Sequence, residues 1–503
     1  MSPKSKISST LLLALLFSYL FYKQSLGINF LIFEFCALAL LFIFKQIDLT
    51  NPKIKFALAG FGISIISFVW NFSAFAFIVN LLFSIYFIGI LSYPLLKNHF
   101  NSFFFGISSM FLSIFKFIKC LNSSAKSRNS AIKKIWKTKI YLIPISIILI
   151  FVTIYRNSNP YFNSIVISFE KYTINKIPNL FEYIDENWLF LFVVGTLLSS
   201  FIIFRSTLAD LVQYDRNSKD QIIRARKRMH FDSKPNALHT EAKLGVLLLF
   251  ILNGILMVLN SIDIYWVWFN FKWDGTILKQ FVHEGTYLLI FSILLSIVIV
   301  LYYFRANQNF NPKIKRLKTL SYLWIAQNII LCISVGIRNY WYIDYFNLAY
   351  KRIGVIIFLL ITIYGLYTVY LKLKHKKSFG YLLSKNTYSI LFILLFFSLF
   401  NWDVLIAKYN FRNANKAFLH LDYMQTLGDK ALPYLEKSLY ELTSIKQQQQ
   451  VIFRFDTVYL SAEEYVNSIN NRKTEFLKKD ENIDWRSWNY SEYKAKKMLL
   501  ATE

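Results

Sequence analysis

The residues that decide the fold lie between positions 281 and 410. Residues 281–304 read FVHEGTYLLIFSILLSIVIVLYYF, residues 334–354 read SVGIRNYWYIDYFNLAYKRIG, and residues 400–410 read FNWDVLIAKYN. These pieces belong to four apolar runs, and an apolar run of about 20 residues spans the ~30 Å hydrocarbon core of a membrane as an α-helix. The charged and amide residues stand where the runs stop. The pattern therefore predicts membrane-spanning helices whose polar residues gather at their ends.

Composition extends this prediction to the whole chain of 503 residues, of which 55% are hydrophobic. The helices of a soluble core need polar outer faces, which these continuous apolar runs lack. A β-barrel is disfavoured as well, because its strands alternate apolar and polar residues. We therefore predict an all-α fold, a polytopic integral membrane helix bundle.

Eleven apolar runs are predicted to span the membrane. They lie at residues 11–22, 27–44, 55–71, 74–93, 140–155, 187–204, 244–262, 284–304, 319–338, 353–371 and 386–402. Lys4 and Lys6 precede the first run, and no small-residue cleavage site follows it. We interpret this first run as an anchor and not as a removed signal peptide.

Lysine and arginine are concentrated in alternate loops, and this asymmetry predicts the orientation, because basic loops stay in the cytoplasm. The basic loops lie at residues 45–55, 116–139, 205–243, 305–318 and 372–377, whereas the other loops are short or contain acids. The N-terminus is therefore predicted to be cytoplasmic and the residues after Asp403 extracytoplasmic. Abundant Lys, Asn, Ile and Phe are typical of AT-rich bacterial genomes, so we expect the bacterial cytoplasmic (inner) membrane.

Four regions are predicted along the chain. Residues 1–118 form an N-terminal membrane region of four spans plus an interfacial or re-entrant helix at 103–118, because a twelfth crossing there would invert the charge asymmetry. Residues 119–139 form a basic cytoplasmic loop, residues 140–405 a membrane core of seven spans, and residues 406–503 a helical extracytoplasmic tail. In the tail, Ser461 and Glu464 have the spacing of a capping box. Trp485 and Trp488 are expected to pack the tail against the membrane surface.

Several function classes are disfavoured by the sequence. The formal net charge of +28 does not indicate nucleic-acid binding, because the basic residues lie in short loops between apolar runs. The three cysteines are far apart and form no C-x-x-C pair, so we expect neither a disulfide framework nor a metal site. Neither a Walker phosphate loop nor a G-x-S-x-G motif occurs. We expect no cofactor, and as partners the lipid bilayer and an anionic envelope ligand or a membrane protein.

Polar residues inside the predicted spans are the first candidates for a site. Glu34 lies inside LIFEFCALAL (residues 31–40), where a carboxylate costs several kcal/mol unless it is paired or protonated. It is either functional or a neutral group that is hydrogen-bonded to another helix. Asn253 and Asn260 share one face of their helix, and Gln327 and Arg338 share one face of another.

A second group of candidates collects at the outer ends of the spans, at one depth. The group consists of Glu284, Arg338, Asp344, Arg352, Asn401 and Asp403. Two interpretations of this cluster remain open. In the structural one, acids pair with arginines and hold the helix ends together. In the functional one, the arginines face a cavity in the outer leaflet and bind a phosphate or a carboxylate, which suits the planar guanidinium.

A set of motifs, taken in order, resembles a known family. The motifs are VHEGTYLL (282–289), SVGIRNYWYIDYFNLAYKRIG (334–354), FNWDVLIAKYN (400–410), LDYMQTLGDKALPYL (421–435) and DWRSWNYSEYKAKKML (484–499). They resemble, over residues 140–500, a family of bacterial multi-pass membrane proteins classified as a domain of unknown function. The resemblance implies an integral membrane protein and supplies no activity, cofactor or catalytic residue. Where that family often has Gly-Leu-Thr, this chain has Asn347-Leu348-Ala349, which argues against an essential threonine hydroxyl at that position.

From these observations we expect a non-enzymatic protein that binds or moves an envelope-associated ligand, a lipid or a small anion, through the outer-facing cluster. One alternative is a membrane enzyme that acts on a lipid-linked substrate, with Glu284 or Asp403 as the general base. Another alternative is a membrane sensor or assembly partner that acts through the basic loops. The sequence leaves these alternatives open.

Overall fold

The computed structural model describes residues 1–125, 152, 155, 160–174, 185–224, 237–271, 275–311, 314–452, 460–481 and 484–501. In these ranges the protein is helical and has no β-strand, apart from one isolated bridge between Gln221 and Lys377. The predicted fold class is therefore confirmed. Most of the predicted span at 140–155 and of the basic loop at 119–139 lies outside the described residues.

The helices are numbered here in chain order. They are α1 (Pro3–Phe21), α2 (Ile28–Ile43), α3 (Pro52–Asn71), α4 (Ala74–Ser92), α5 (His99–Ala125), α6 (Pro160–Ile174), α7 (Glu186–Ile203), α8 (Ala209–Asn217), α9 (Ala237–Asp263), α10 (Gly275–Tyr303), α11 (Lys315–Phe346), α12 (Tyr350–His375), α13 (Phe379–Ser398), α14 (Trp402–Arg412), α15 (Leu421–Met424), α16 (Leu432–Leu435), α17 (Leu439–Ile452), α18 (Ala462–Glu481) and α19 (Tyr490–Leu500). A π-helical segment, Ile264–Phe269, continues α9. Several helices begin where local sequence satisfies the first N–H groups, since the side chains of Ser2, Asn51 and Ser378 accept hydrogen bonds from the first turn.

Ten of the described helices are long and apolar enough to cross a membrane, and they make the chain a multi-pass membrane protein. They are α1, α3, α4, α5, α7, α9, α10, α11, α12 and α13. Helix α2, predicted as a span at 27–44, has 16 residues and is about 24 Å long. The turns on either side of α2 nevertheless contact opposite ends of the bundle, because Ile28 N–H donates to Trp488 O and Gln46 accepts from Arg205.

The two ends of this bundle differ in charge. Because successive helices alternate in direction, many of the basic residues at the helix termini lie at one end, which we call the basic end. They include Lys6, Lys53, Lys116, Arg205, Arg305, Lys318, Lys372 and Lys385. The opposite end, which we call the tail end, carries the tail helices α14–α19. The charge asymmetry that the loops show in sequence is thus present between the two ends of the fold.

Two groups of helices build the membrane core, and α13 packs against both. In the first group, Phe83 and Phe87 of α4 are buried together with Leu391 of α13. In the second group, Leu331 of α11 is buried together with Leu382 of α13. Large apolar side chains remain exposed on the outside of both groups, as a lipid-facing surface requires.

Helix α5 contains the segment 103–118, which is predicted to lie on the membrane or to re-enter it. Its 27 residues are long and apolar enough for a crossing. However, its partners all lie near the basic end. The contacts along its length join His99 to Tyr86, Ser109 to Ser92, Lys116 to Arg205 and Cys120 to Pro3. The helix therefore runs along the basic ends of its neighbours, which supports the predicted placement while its depth in a membrane stays a prediction.

The tail helices dock on the bundle through residues 484–489. Trp488 packs beside α3 and α4, and its carbonyl accepts a hydrogen bond from Ile28 N–H at 2.7 Å. Ser487 Oγ accepts from Ser25 N–H at 3.1 Å. Trp488 therefore lies at the interface between the tail and the bundle. Trp485 is 57% exposed, and the packing of either tryptophan against the membrane surface stays a prediction.

The predicted capping box at the start of α18 is confirmed. Glu464 Oε2 accepts from Ser461 N–H at 2.8 Å, and Ser461 Oγ accepts from Glu464 N–H at 3.1 Å. Behind this helix, Tyr465 is fully buried and its hydroxyl donates to Leu435 O at 3.1 Å. The tail thus has a hydrophobic core of its own, which continues onto α12 and α13.

Candidate functional site

Glu34 is buried where α2, α3 and α4 meet, with 7% of its surface exposed. Asn80 Nδ2 donates to one carboxylate oxygen at 3.0 Å, and Ser84 Oγ donates to the other at 3.4 Å. Asn80 Nδ2 also lies 3.3 Å from Ser64 Oγ. Among the described residues, Glu34 has no cationic partner within salt-bridge distance. These hydrogen bonds to another helix are what the structural interpretation of Glu34 predicts. A functional role for Glu34 stays a prediction.

The polar faces predicted on two spans contact each other between α9 and α11. Gln327 Nε2 donates to Asn253 Oδ1 at 2.8 Å, and Asn260 Nδ2 donates to Gln327 O at 3.1 Å. Towards the tail end, Arg338 forms a salt bridge with Asp263, and both side chains are less than 5% exposed. These residues therefore connect two helices by hydrogen bonds and one buried ion pair.

Sequence reasoning missed Asp263 as the partner of Arg338, although a signal was present. Helices α9 and α11 are parallel, so their contacting residues keep a similar sequence separation, which is 74 for Asn253 with Gln327. A separation of this size leads from Arg338 back to the end of α9. Asp263 is the acidic residue there, and the observed separation is 75.

Asp403 belongs to a buried polar junction at the tail end. Its carboxylate accepts from Tyr350 Oη at 2.8 Å and forms a salt bridge of 2.8 Å with Lys430 Nζ. The same ammonium group donates to the carbonyls of Asn71 and Phe72, each at 2.9 Å. One lysine therefore ties the start of α14 and the end of α3 to the turn before α16.

Both oxygens of Asp403 are engaged in this junction, which disfavours Asp403 as a general base. The side chain of Glu284, the other acid considered for that role, lies outside the described residues.

Sequence reasoning missed Lys430, because a single lysine in LGDKALPYL looks like any surface lysine of a polar helix end. Only the packing of the tail on α3 gives it three acceptors.

Arg352 closes the turn between α11 and α12. Its Nη1 donates to the carbonyl of Phe346 at 2.7 Å and also to the carbonyl of Asn347. Asp344 is exposed and has no salt-bridge partner among the described residues. Asn401 is the N-cap of α14, where its side chain accepts from the backbone N–H of Val404. The outer cluster is therefore divided among several local contacts.

A cleft lies beside Arg352, between α10, α11 and α12, and we call it the Arg352 cleft. It is lined by Thr286, Tyr287, Asn339, Tyr342, Lys351, Arg352 and Val355. Thr286 is 5% exposed, and its hydroxyl has no hydrogen-bond partner among the described residues. The Arg352 guanidinium lies over the ring of Tyr342, 4.4 Å from the ring centre. None of these lining residues is acidic, so the cleft has two cationic groups and one unpartnered hydroxyl.

The charge of Arg352 also affects a histidine of the tail, His420. His420 is next to Phe346, with ring centres 6.1 Å apart. Burial, together with the positive charge of Arg352, lowers the pKa of His420 to about 4. The imidazole is therefore neutral at neutral pH, and it adds no second charge to this corner of the fold.

The structure thus separates the predicted outer residues into three places. Arg338 pairs with Asp263, Asp403 with Lys430, and Arg352 borders a cleft. The two pairs hold helices together, and the cleft beside Arg352 is the candidate site among these three places. The fold and this division of polar contacts define a multi-pass α-helical membrane protein with its tail helices packed on one end of the bundle.

The chain belongs to the family described as Domain of unknown function (DUF4153), whose model matches residues 7–438. This range starts earlier than the resemblance seen in the motifs, so α1–α5 belong to the family's region as well. It ends before α18 and α19, which places the motif DWRSWNYSEYKAKKML outside the match. No curated protein and no solved structure is significantly similar to the chain.

Proposed function

We propose that this membrane protein binds an anionic ligand, either a lipid head group or a small anion, in the Arg352 cleft. The observation that carries this proposal is the hydroxyl of Thr286, which is buried at the cleft without a hydrogen-bond partner. Leaving a buried hydroxyl unpaired costs about 1–3 kcal/mol. An oxygen of a phosphate or a carboxylate would remove this cost by accepting a hydrogen bond from it.

The charge of the cleft supports an anion over a neutral ligand. Arg352 and Lys351 border the cleft, and none of its described lining residues is acidic. Arg352 is held in place by the Tyr342 ring and by two carbonyls that bind its Nη1. An arginine that is fixed in this way loses less side-chain entropy when it binds an anion.

We further propose that the tail end faces the outside of a bacterial inner membrane, so that the ligand comes from the envelope. The concentration of lysine and arginine at the other end of the bundle supports this orientation. The test is a cysteine placed at the exposed Ser461. A membrane-impermeant maleimide labels it in intact cells if the orientation is correct, and labels it only after lysis if the tail is cytoplasmic.

Binding in the cleft is tested with Thr286→Val, which keeps the volume of the side chain and removes only the hydroxyl. The purified protein is placed in phosphatidylcholine nanodiscs with and without phosphatidylglycerol, and separately titrated with inorganic phosphate. We expect Thr286→Val to weaken the binding of one of these anions about tenfold to a hundredfold, the effect of one hydrogen bond to a charged group.

The matched control is Thr362→Val on α12, whose hydroxyl donates to Phe358 O at 2.8 Å within its own helix. This control should leave anion binding unchanged. Equal anion affinities of Thr286→Val and the unmodified protein would contradict a ligand site at the Arg352 cleft. Binding of phosphatidylglycerol without binding of inorganic phosphate would identify a lipid, and the reverse would identify a small anion.

A further inference from the structure

A second cleft lies at the tail end, on the side of the bundle formed by α3 and α13. It is bordered by the end of α3, by α14 and by α19, and it encloses about 480 Å³, including the part that is open to solvent. We call it the lysine cleft, because Lys408, Lys430 and Lys494 line it. It shares no lining residue with the Arg352 cleft.

Two of its three lysines carry charge that the described residues do not neutralise. Lys430 is paired with Asp403, as described above. Lys408 and Lys494 are exposed, and neither has a carboxylate within salt-bridge distance in the described part of the chain. Lys408 is held over the ring of Tyr434, with its ammonium 4.4 Å from the ring centre. The cleft therefore has a surplus of two positive charges.

A buried donor without a partner faces the same place. Ser491 lines the lysine cleft and is 6% exposed, and its hydroxyl has no hydrogen-bond partner. Beside it, Trp70 of α3 stacks on Tyr490 with ring centres 4.0 Å apart. Tryptophan and tyrosine prefer the boundary between hydrocarbon and water, so this pair is expected at head-group depth. Two lysines and a serine hydroxyl are the donors that a phosphate group needs.

An apolar strip leads from the membrane side of the bundle to this cleft. On α3, Ile63, Ile66 and Trp70 recur every three to four residues and are 42%, 59% and 53% exposed. On α13, Phe392 and Phe396 are 63% and 49% exposed. The two helices contact each other at Ser67 and Ser398, and the strip on α3 ends at Trp70, which lines the cleft. An acyl chain can lie along this exposed apolar surface while its head group lies in the cleft.

We infer that the lysine cleft is a binding site for an anionic phospholipid. In this site Lys408, Lys494 and Ser491 bind the phosphate, and the acyl chain lies along the apolar strip of α3 and α13. A phospholipid and a free phosphate anion share the phosphate group, and only the phospholipid has an acyl chain. This site is independent of the Arg352 cleft, and a bound lipid would bridge the bundle and α19.

The experiment measures bound lipid by native mass spectrometry of the full-length protein released from nanodiscs of phosphatidylcholine with phosphatidylglycerol. The test variant is Lys408→Gln/Lys494→Gln, with Ser491→Ala as a milder second variant. The matched control, Lys478→Gln/Lys479→Gln, removes the same charge from exposed positions on α18. We expect the test variant to lower the affinity for phosphatidylglycerol at least tenfold, Ser491→Ala to lower it about threefold to tenfold, and the control to change it less than twofold.

The alternatives give different results. If the double variant retains phosphatidylglycerol as well as the control does, the proposal is wrong. If inorganic phosphate stabilises the protein through these lysines while phosphatidylglycerol is not retained, the site binds a free anion and the lipid assignment is overturned. Because Thr286→Val leaves the lysine cleft intact, a loss of lipid in that variant alone assigns the lipid to the Arg352 cleft instead.

Discussion

Replacing Lys430 by methionine tests how the tail is held on the bundle. The substitution removes the salt bridge to Asp403 and the hydrogen bonds to the carbonyls of Asn71 and Phe72. It leaves the Asp403 carboxylate, 7% exposed, with Tyr350 as its remaining partner. Removing one partner of a buried ion pair costs about 3–5 kcal/mol, and the remaining tyrosine favours the lower half of this range.

Hydrogen exchange is the assay for this prediction, because it reports the opening of the tail separately from the bundle. At about 1.4 kcal/mol for each factor of ten, amide protection in α18 and α19 should fall about a hundredfold to a thousandfold in Lys430→Met. Protection in α11 should stay unchanged. The double variant Lys430→Met/Asp403→Leu also removes the unpaired carboxylate and should restore most of the lost amide protection.

Lys437→Met is the control, since its pair with Glu441 is partly exposed and contributes less than about 1 kcal/mol. A change below tenfold in Lys430→Met would refute the view that this junction stabilises the docked tail. A double variant that is as unstable as Lys430→Met would also contradict the prediction, because the loss of stability would then not arise from the unpaired carboxylate.

Three further predictions concern packing and pH. In Gly27→Ala the new methyl group would lie 2.4 Å from the Ser487 carbonyl, so we expect a loss of about 1–3 kcal/mol, measured as faster proteolysis of residues 484–501. In Gly89→Ala the new methyl group would lie 1.9 Å from the Ser102 carbonyl and push α4 and α5 apart, so the thermal midpoint should fall by several degrees. In the control Gly62→Ala the methyl group meets open space, so the midpoint should stay unchanged. The pKa of His420, lowered from 6.5 to about 4, makes protonation easier in the unfolded chain. Stability should therefore be complete above pH 6.5 and fall by up to about 3 kcal/mol as the pH decreases towards 4, and His420→Gln should flatten this dependence in thermal unfolding.

The helices were predictable because their signals are local. Apolar runs are contiguous in sequence, and the capping box predicted at Ser461 and Glu464 has the expected partners. The facing polar residues Asn253 and Gln327 were predictable for the same reason, since each lies on a helix face that its own spacing defines.

The partners at the tail end were not predictable, because they depend on how distant segments dock. Lys430 binds residues more than 350 positions away, and no local pattern distinguishes it from a solvated lysine. Arg352 was expected to pair with an acid or to face a cavity. It borders a cleft, and its bonds to two carbonyls of the preceding turn were not predicted. The lysine cleft was missed altogether, since its lysines come from α14, from the turn before α16 and from α19.

The contact between Ser487 and the turn before α2 has a consequence for biogenesis. Ser25 and Ser487 are 462 residues apart, which at about 5–20 residues per second corresponds to roughly 20–90 s of translation. During that time α1 and α2 are already inserted while the N–H groups of Ser25 and Ile28 lack their eventual acceptors. A chain whose synthesis stops before residue 484 would therefore keep these two N–H groups without Ser487 and Trp488 as acceptors.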